Sequence, residues 1–347
     1  MSARQEAAPQ PRRRNRVLVA LLSILALLIL AAAAGAAYVY HLISPTGAPA
    51  ATLEILPTTS LDVIAGSLER RGLSRSIRLF ETVYHYKGYP DPKEGIYHVS
   101  GKMNLLEIAD ALAGQGAPRT FKVTLPEGWR ATQVLDRFAQ AGLWSKADLK
   151  PFFTNPSLSR FTRGHKNLEG FLFPATYDVR RLASPGEVAQ MLLDRFALEV
   201  TPEREARLRA LNLDVYGWVT LASLVQAEAG NDQQMPYIAG VFLNRLAIGM
   251  PLQSDPSVAY GLNIPMNQLD YSRGDFKKDT PYNTYTRPGL PAGPIGNPGE
   301  AALSAVLDAK RNAPDGRPNL YFLHGLHGEF RVNPDYASHL RDLNTYR

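Results

Sequence analysis

Residues Val17 to Tyr40 contain no charged side chain, and Arg12, Arg13, Arg14 and Arg16 stand immediately before them. As a helix these 24 residues would extend about 36 Å, more than the roughly 30 Å of a bilayer's hydrocarbon core. The arginines predict a cytoplasmic N-terminus, with the remaining chain on the other side of the membrane. The expected order therefore begins with a cytoplasmic tail at 1–16 and a transmembrane helix at 17–40, followed by a tether at 41–56. A cleaved signal peptide is the competing reading, because Ala31 to Ala37 offers small residues for cleavage. Signal h-regions usually run about 7–15 residues, shorter than this segment, so a retained single-pass anchor is the expectation.

The chain has no cysteine. That excludes acylation as an anchor, disulfides, thiolate metal sites and a cysteine nucleophile. The formal net charge is +6, but residues 1–16 hold five Arg and one Glu. Removing that +4 leaves +2 for residues 44–347, so the high isoelectric point is partly a topology signal. No basic stripe argues for nucleic acid. About 300 exported residues suit one or two globular domains.

The tether is read from Pro45, Gly47, Ala48, Pro49, Ala50 and Ala51. A small helix-rich unit follows. Ser60 caps a helix running to about Arg71, residues 76–86 read as helix, Gly95–Val99 as a short strand and Asn104–Leu112 as an amphipathic helix. Phe121 to Leu125 alternates like a strand and stops at Pro126-Glu127-Gly128. Helices are expected at 131–141, 186–198, 203–210, 216–229, 235–247 and 300–310, with strands near 319–324 and 329–332. The fold class is α+β. Thr280 to Gly299 is rich in Pro and Gly and carries Tyr282, Asn283, Tyr285 and Arg287. So long a stretch without regular structure is usually functional or disordered.

Glu228 is the candidate on which the chemistry turns. Leu221, Leu224, Val225 and Glu228 fall at i, i+3, i+4 and i+7, so a carboxylate shares an apolar helical stripe. Burial disfavours the charged form and raises a carboxyl pKa, which suits a general acid near neutral pH. A buried Glu held by a structural hydrogen bond fits this stretch equally well. Gly230 supplies a helix stop.

Other chemistries lack candidates. The seven histidines form no H-E-x-x-H or similar pair, and His324 and His327 fall in a Gly-rich turn. Gly-x-Ser-x-Gly, P-loop and dinucleotide patterns are absent, so no cofactor is expected. Gly296-Asn297-Pro298-Gly299 reads as a capped turn. Ordinary glycosidases need two carboxylates. Near Glu228 the candidates are Asp232 and Asp255, and both read as helix caps. If neither is a partner, one Glu must handle every proton. Intramolecular ring closure by a substrate hydroxyl fits that arrangement.

Several ordered motifs then coincide. They are Val225-Gln226-Ala227-Glu228, Val241-Phe242-Leu243-Asn244-Arg245-Leu246, Leu252-Gln253-Ser254-Asp255-Pro256-Ser257-Val258, Tyr282-Asn283-Thr284-Tyr285 and Gly289-Leu290-Pro291-Ala292-Gly293-Pro294-Ile295-Gly296-Asn297-Pro298-Gly299. Upstream stand Thr124-Leu125-Pro126-Glu127-Gly128 and Leu168-Glu169-Gly170-Phe171-Leu172-Phe173-Pro174-Ala175-Thr176-Tyr177. Together they resemble the MltG (YceG-like) endolytic murein transglycosylases over nearly all of residues 45–347.

The resemblance implies cleavage of peptidoglycan glycan strands at the MurNAc–GlcNAc linkage with a 1,6-anhydroMurNAc end, limiting the length of nascent strands. It implies a LysM-like α/β domain at 57–118, a mixed α+β catalytic domain at 119–347 outside the cell membrane, and penicillin-binding proteins as partners. The family's catalytic Glu maps to Glu228. Gln253, Asn283 and Tyr285 are expected to contact substrate. Glu169 either lines the cleft or braces the Gly170–Pro174 turn. Asn244 and Arg245 either pair within the fold or touch sugar, and Asp255 either caps a helix or faces the substrate. The chain departs from the family's E-x-E pattern at Gln226, and from its His-x-Phe pattern, with His327 three residues before Phe330. His339 matches a late family His, but Leu340 replaces the usual Asn; neither His receives a role. A muramidase hydrolysing the same bond, or a non-catalytic glycan-binding scaffold, would be the alternatives.

Overall fold

A computed structural model describes residues 13–347; most of the expected tail at 1–16 lies outside the described residues. Helix α1 (Arg13–Ile43) carries the apolar run. Within it Val17–Ile43 has a mean hydropathy of 3.0 and no buried residue, so it is long and apolar enough to cross a membrane. The chain divides into two compact units, one ending at Arg119 and one spanning Thr120–Arg347.

The first unit corrects the expected tether. Residues Ala51–Ile55 form strand β1, which pairs antiparallel with β2 (Gly95–Val99) in the register Ala51↔Val99 to Ile55↔Gly95. Leu53 and Ile55 point into the core while Glu54 faces out, the alternation of a half-buried strand. Its small and Pro-rich prefix hides this pattern in the sequence. Between the strands lie α2 (Leu61–Arg70) and α3 (Ile77–Tyr86), and α4 (Leu105–Ala113) follows β2. Asn104 accepts from the backbone N–H groups of Leu106 and Glu107, and Glu107 accepts from the N–H of Asn104. This reciprocal cap fixes where α4 begins. Ile64, Leu68, Phe80, Tyr84, Ile108 and Leu112 fill the core.

Residues 44–50 are not free either. Arg75 donates through Nη1 to the carbonyls of His41 (2.9 Å) and Ser44 (2.6 Å), and through Nη2 to that of Pro45 (3.1 Å). The His41 carbonyl is one that the last turn of α1 leaves without a helical partner, and those of Ser44 and Pro45 follow directly after it.

The second unit opens with β3 (Thr120–Thr124), which pairs antiparallel with β4 (Thr176–Arg180). Helices α5 (Ala131–Gln140) and α6 (Lys146–Phe153) lie between them. Next come α7 (Pro185–Ala197), α8 (Pro202–Ala210), α9 (Val215–Glu228), α10 (Met235–Ala247), α11 (Asp255–Gly261) and α12 (Glu300–Leu307). The chain closes with the hairpin β5 (Tyr321–His324) and β6 (Phe330–Asn333), then α13 (Tyr336–Tyr346). Residues 278–299 contain no helix or strand. They are nonetheless packed, with Asn283, Thr284 and Asn297 buried.

Helix α9 is the centre of this unit, and here the single-stripe reading is too narrow. Every residue from Trp218 to Val225 is buried, because α8, α10, α11 and α12 surround it. A helix enclosed on all sides needs no polar face. Its two end turns reach the edge of the packing, Val215 to Gly217 at the start and Gln226, Ala227 and Glu228 at the finish.

Candidate active site

Glu228 ends α9, and Ala229 leaves the helix in an extended conformation. The side chain is half-buried and borders a cavity of about 290 Å³. Arg245 of α10, Leu252, Gln253 and Asp255 around the start of α11, Tyr285, strand β5, and His339 and Arg347 at α13 complete its lining. Burial pushes the Glu228 carboxyl up to about 7. A hydrogen bond from Ser254 pulls it down, Asp255 raises it and Arg245 lowers it. A carboxyl so placed is protonated about half the time near neutral pH, the condition for donating a proton and later taking one back.

The donor to Glu228 comes from an unexpected position. Ser254 is the N-cap of α11, yet its side chain makes no capping bond. Its Oγ instead donates to Glu228 Oε1 at 2.6 Å. Behind it, Ser254 N–H donates to Thr284 Oγ1, Ser257 Oγ donates to the Ser254 carbonyl, and the Ser257 and Thr284 hydroxyls meet at 2.9 Å. This buried hydroxyl cluster ties the start of α11 to the 280–299 segment and holds one carboxyl oxygen of Glu228. Asp255 is therefore not the cap expected from the sequence. It is the first helical residue, and its Oδ1 accepts from Tyr285 Oη. Asp232 is no cap either, since Gln234 holds that position before α10.

Ser254→Ala is expected to raise the Glu228 pKa, because the lost hydrogen bond favours the charged form. A general acid must be protonated, so the alkaline limb of kcat/KM should move to higher pH. A hydrogen bond to a charged group is worth about 1.5–3 kcal/mol, which corresponds to a move of about one to two pH units. A pH–rate profile with an unmoved limb would show that Ser254 does not act on Glu228.

Of the expected contact residues, Gln253, Asp255 and Tyr285 share the cavity with Glu228. Glu169, Asn244 and Asn283 do not line it, and their hydrogen bonds are made within the fold. Asn283 Nδ2 donates to the carbonyls of Phe276 and Lys278, and its Oδ1 accepts from Tyr285 N–H. It braces the loop that carries Tyr285. Asn244 donates to the carbonyls of Arg311 and Asn319 and accepts from Arg311 Nε. Glu169 accepts from Ala131 N–H at 2.7 Å and Tyr260 Oη at 3.0 Å. Burial pushes its carboxyl up to about 7, against the pull of those two donors and of Arg130. The next residue, Gly170, has φ +90°, and a side chain there would collide with Pro294 and Val219. Only glycine fits that approach.

Two further sequence features find physical explanations. Gln226 Oε1 accepts from Gly299 N–H, the N-cap of α12, so the departure from E-x-E places a neutral bracing group there. Asn297 donates to the Trp129 carbonyl and accepts from Leu172 N–H. It is thus a junction between three segments rather than only a turn residue. Sequence reasoning passes over Tyr321 and His324, which line the cavity, and Ser254, which is buried behind it and donates to Glu228. It is His324 that lines the cavity, while His327 lies on an exposed turn. Burial and the charge of Arg245 lower the His339 pKa, against Asp342.

A larger cavity of about 430 Å³ lies among Leu211, Leu213, Leu243, Leu246, Leu290 and Arg311. It holds no carboxyl group and so offers no general acid. Among the described residues no cluster of His, Asp and Glu is placed to hold a metal ion.

The sequence model of the YceG-like family matches residues 53–345. This chain belongs to the YceG-like family. Within that setting, it is 29% identical over 332 residues to a protein of Bacillus subtilis (strain 168) named endolytic murein transglycosylase, covering 90% of each chain. It is 27% identical over 340 residues to the protein of that name from Streptococcus pneumoniae serotype 2, and spans 60% of that longer relative. The crystal structure of a yceG-like protein from Listeria monocytogenes superposes with a TM-score of 0.55 at 27% identity, covering 85% of this chain and 99% of that one. The fold is therefore shared with that Listeria protein.

Proposed function

We propose that this YceG-like chain is an endolytic murein transglycosylase acting on nascent peptidoglycan glycan strands. The observation that carries the reading is Glu228, a carboxyl held near neutral pKa at the edge of a cavity and oriented by Ser254. Family membership and the names of the relatives support the same activity.

Glu228 donates its proton to the glycosidic oxygen as the MurNAc C1–O bond breaks toward an oxocarbenium-like state. The resulting carboxylate takes the proton of the MurNAc C6 hydroxyl, and that oxygen bonds to C1. The proton count closes on one residue, and no water is consumed. The 1,6-anhydro end follows from the intramolecular attack, whose effective molarity is high.

A muramidase is the second reading, because Asp255 places another carboxylate in the same cavity. Hydrolysis needs such a partner to activate water or form a covalent intermediate. Mass spectrometry of digested glycan strands separates the two. The expected product carries anhydro ends, lighter than reducing ends by one water. Reducing ends alone would transfer the assignment to the muramidase.

The first unit supports a LysM-like reading through its strand–helix–helix–strand order, with the domain beginning at β1 rather than at residue 57. The arginines before the apolar run at Val17 support a single-pass anchor with the catalytic unit on the extracytoplasmic side. Glycan would then be met near its site of synthesis, where penicillin-binding proteins are the partners we propose.

A further inference from the structure

We infer that Arg245 and Gln253 form a paired hydrogen-bond donor for the acetamido carbonyl of the MurNAc unit at the cleaved linkage. The inference rests on the murein reading above and names the group by which the site recognises that sugar.

Arg245 is only 6% exposed. Its Nε donates to the Leu320 carbonyl at 2.7 Å, and its Nη1 to the carbonyls of Leu252 (2.8 Å) and Pro251 (3.2 Å). The Tyr321 ring lies 5.3 Å from the guanidinium carbon. These contacts fix the plane of the fork. Among the described residues Nη2 makes no hydrogen bond and no carboxylate forms a salt bridge with Arg245, although the residue borders the Glu228 cavity. Burying a guanidinium is costly unless its donors are used.

Gln253 is arranged to match. Its backbone is left-handed, with φ +55°, an unusual state for a residue that is not glycine and one that concentrates at functional sites. The Thr284 carbonyl pins it by accepting from its N–H at 3.2 Å. The side chain is exposed, and its Oε1 accepts from Arg245 Nη1 at 3.3 Å. That bond engages the oxygen, and among the described residues the amide Nε2–H₂ group makes no hydrogen bond. Two donors thus remain beside Glu228, one charged and one neutral, on groups that are already held.

A carbonyl oxygen has two lone pairs and no proton, the complement of two donors. Glu228 must reach the glycosidic oxygen on C1 of the MurNAc residue. The carbonyl nearest that atom belongs to the acetamido group on C2. A site that places Glu228 at the bond therefore brings this carbonyl to the adjacent wall.

The test separates binding from chemistry. Full-length protein carrying Glu228→Gln in detergent is titrated calorimetrically with a murein tetrasaccharide. A second titration uses an analogue with a hydroxyl in place of the MurNAc acetamido group. The parent is expected to bind the natural fragment about tenfold or more tightly than the analogue, as for a charge-assisted contact. Adding Arg245→Lys should weaken the natural fragment and cut the preference to about twofold or less, the coupling that a substitution cycle isolates. A bracing role alone would weaken both ligands equally and preserve the preference. Full preference in a folded Arg245→Lys protein, or none in the parent, overturns the inference. If the melting curve shows that Arg245→Lys is unfolded, Gln253→Glu decides by the same criterion. Wild-type protein that makes anhydro ends while the parent shows no preference refutes this inference alone. Intact preference with only reducing ends leaves it standing and removes the lyase reading.

Discussion

Glu228→Gln is expected to yield a folded protein whose glycan cleavage is slower by roughly 10²–10⁴-fold. An amide of nearly the same shape still accepts from Ser254 Oγ, so the end of α9 keeps its anchor. What it cannot do is release a proton to the leaving oxygen and recover one from C6. Near-native turnover by a folded variant would refute the mechanism. The same substitution has a signature in stability. The folded Glu228 carboxyl sits at about 7 against an ordinary value of 4.5, so the native state binds the proton more tightly than the unfolded chain. That contribution is fully present below about 4.5 and is lost as pH rises through about 7. Glu169 has the same sign and window. Thermal melts at pH 5 and pH 8 should therefore show a smaller pH difference for Glu228→Gln than for the wild type.

Asn297→Ala is expected to be the most damaging single substitution for stability outside the apolar core. Asn297 is 1% exposed. Its Oδ1 is the acceptor for Leu172 N–H at 2.9 Å, and its Nδ2 donates to the Trp129 carbonyl at 2.7 Å. Truncation leaves a buried N–H with no partner and strips one of two donors from that carbonyl, since Asn297 N–H still reaches it. Unsatisfied buried groups cost about 1–3 kcal/mol each, so a loss of about 2–4 kcal/mol follows. For a unit of this size that lowers the melting temperature by on the order of 5–15 °C. None of these groups lines the Glu228 cavity, so cleavage measured well below the new midpoint should be largely retained. An unchanged melting curve would show that the junction is not held by this side chain.

The residues that could be read in advance are those whose environment is set by near neighbours in the chain. Glu228 stands out because three apolar residues precede it at helical spacing. Helix α4 is legible because Asn104 and Glu107 cap it from within one turn. Strand β1 hides behind Ala, Pro and Gly, and its partner lies more than forty residues away. Helix α13 hides because none of its residues is buried, so it has no strong apolar period to betray it. The same logic divides the site. Asp255 reads as the cap from sequence, and only the approach of α9 shows that the neighbouring Ser254 hydroxyl serves Glu228. The sequence leaves Arg245 open between pairing within the fold and touching sugar, because the carbonyls of Leu320, Pro251 and Leu252 that hold it come from other segments. Asn283 draws notice as a sugar contact, yet its amide is used by the loop's own carbonyls.

Arg75 changes how the anchor should be pictured. A leash of a dozen loose residues would let the enzyme wander over a hemisphere above the membrane attachment we propose. Instead carbonyls at and just after the end of α1 are clamped to the turn between α2 and α3, and Ile43 packs on the small unit's core. Helix and small unit therefore tilt together, like a post set in its footing. Lengthening the 44–50 segment with glycines would not lengthen the reach while that clamp holds; removing the Arg75 guanidinium would release it.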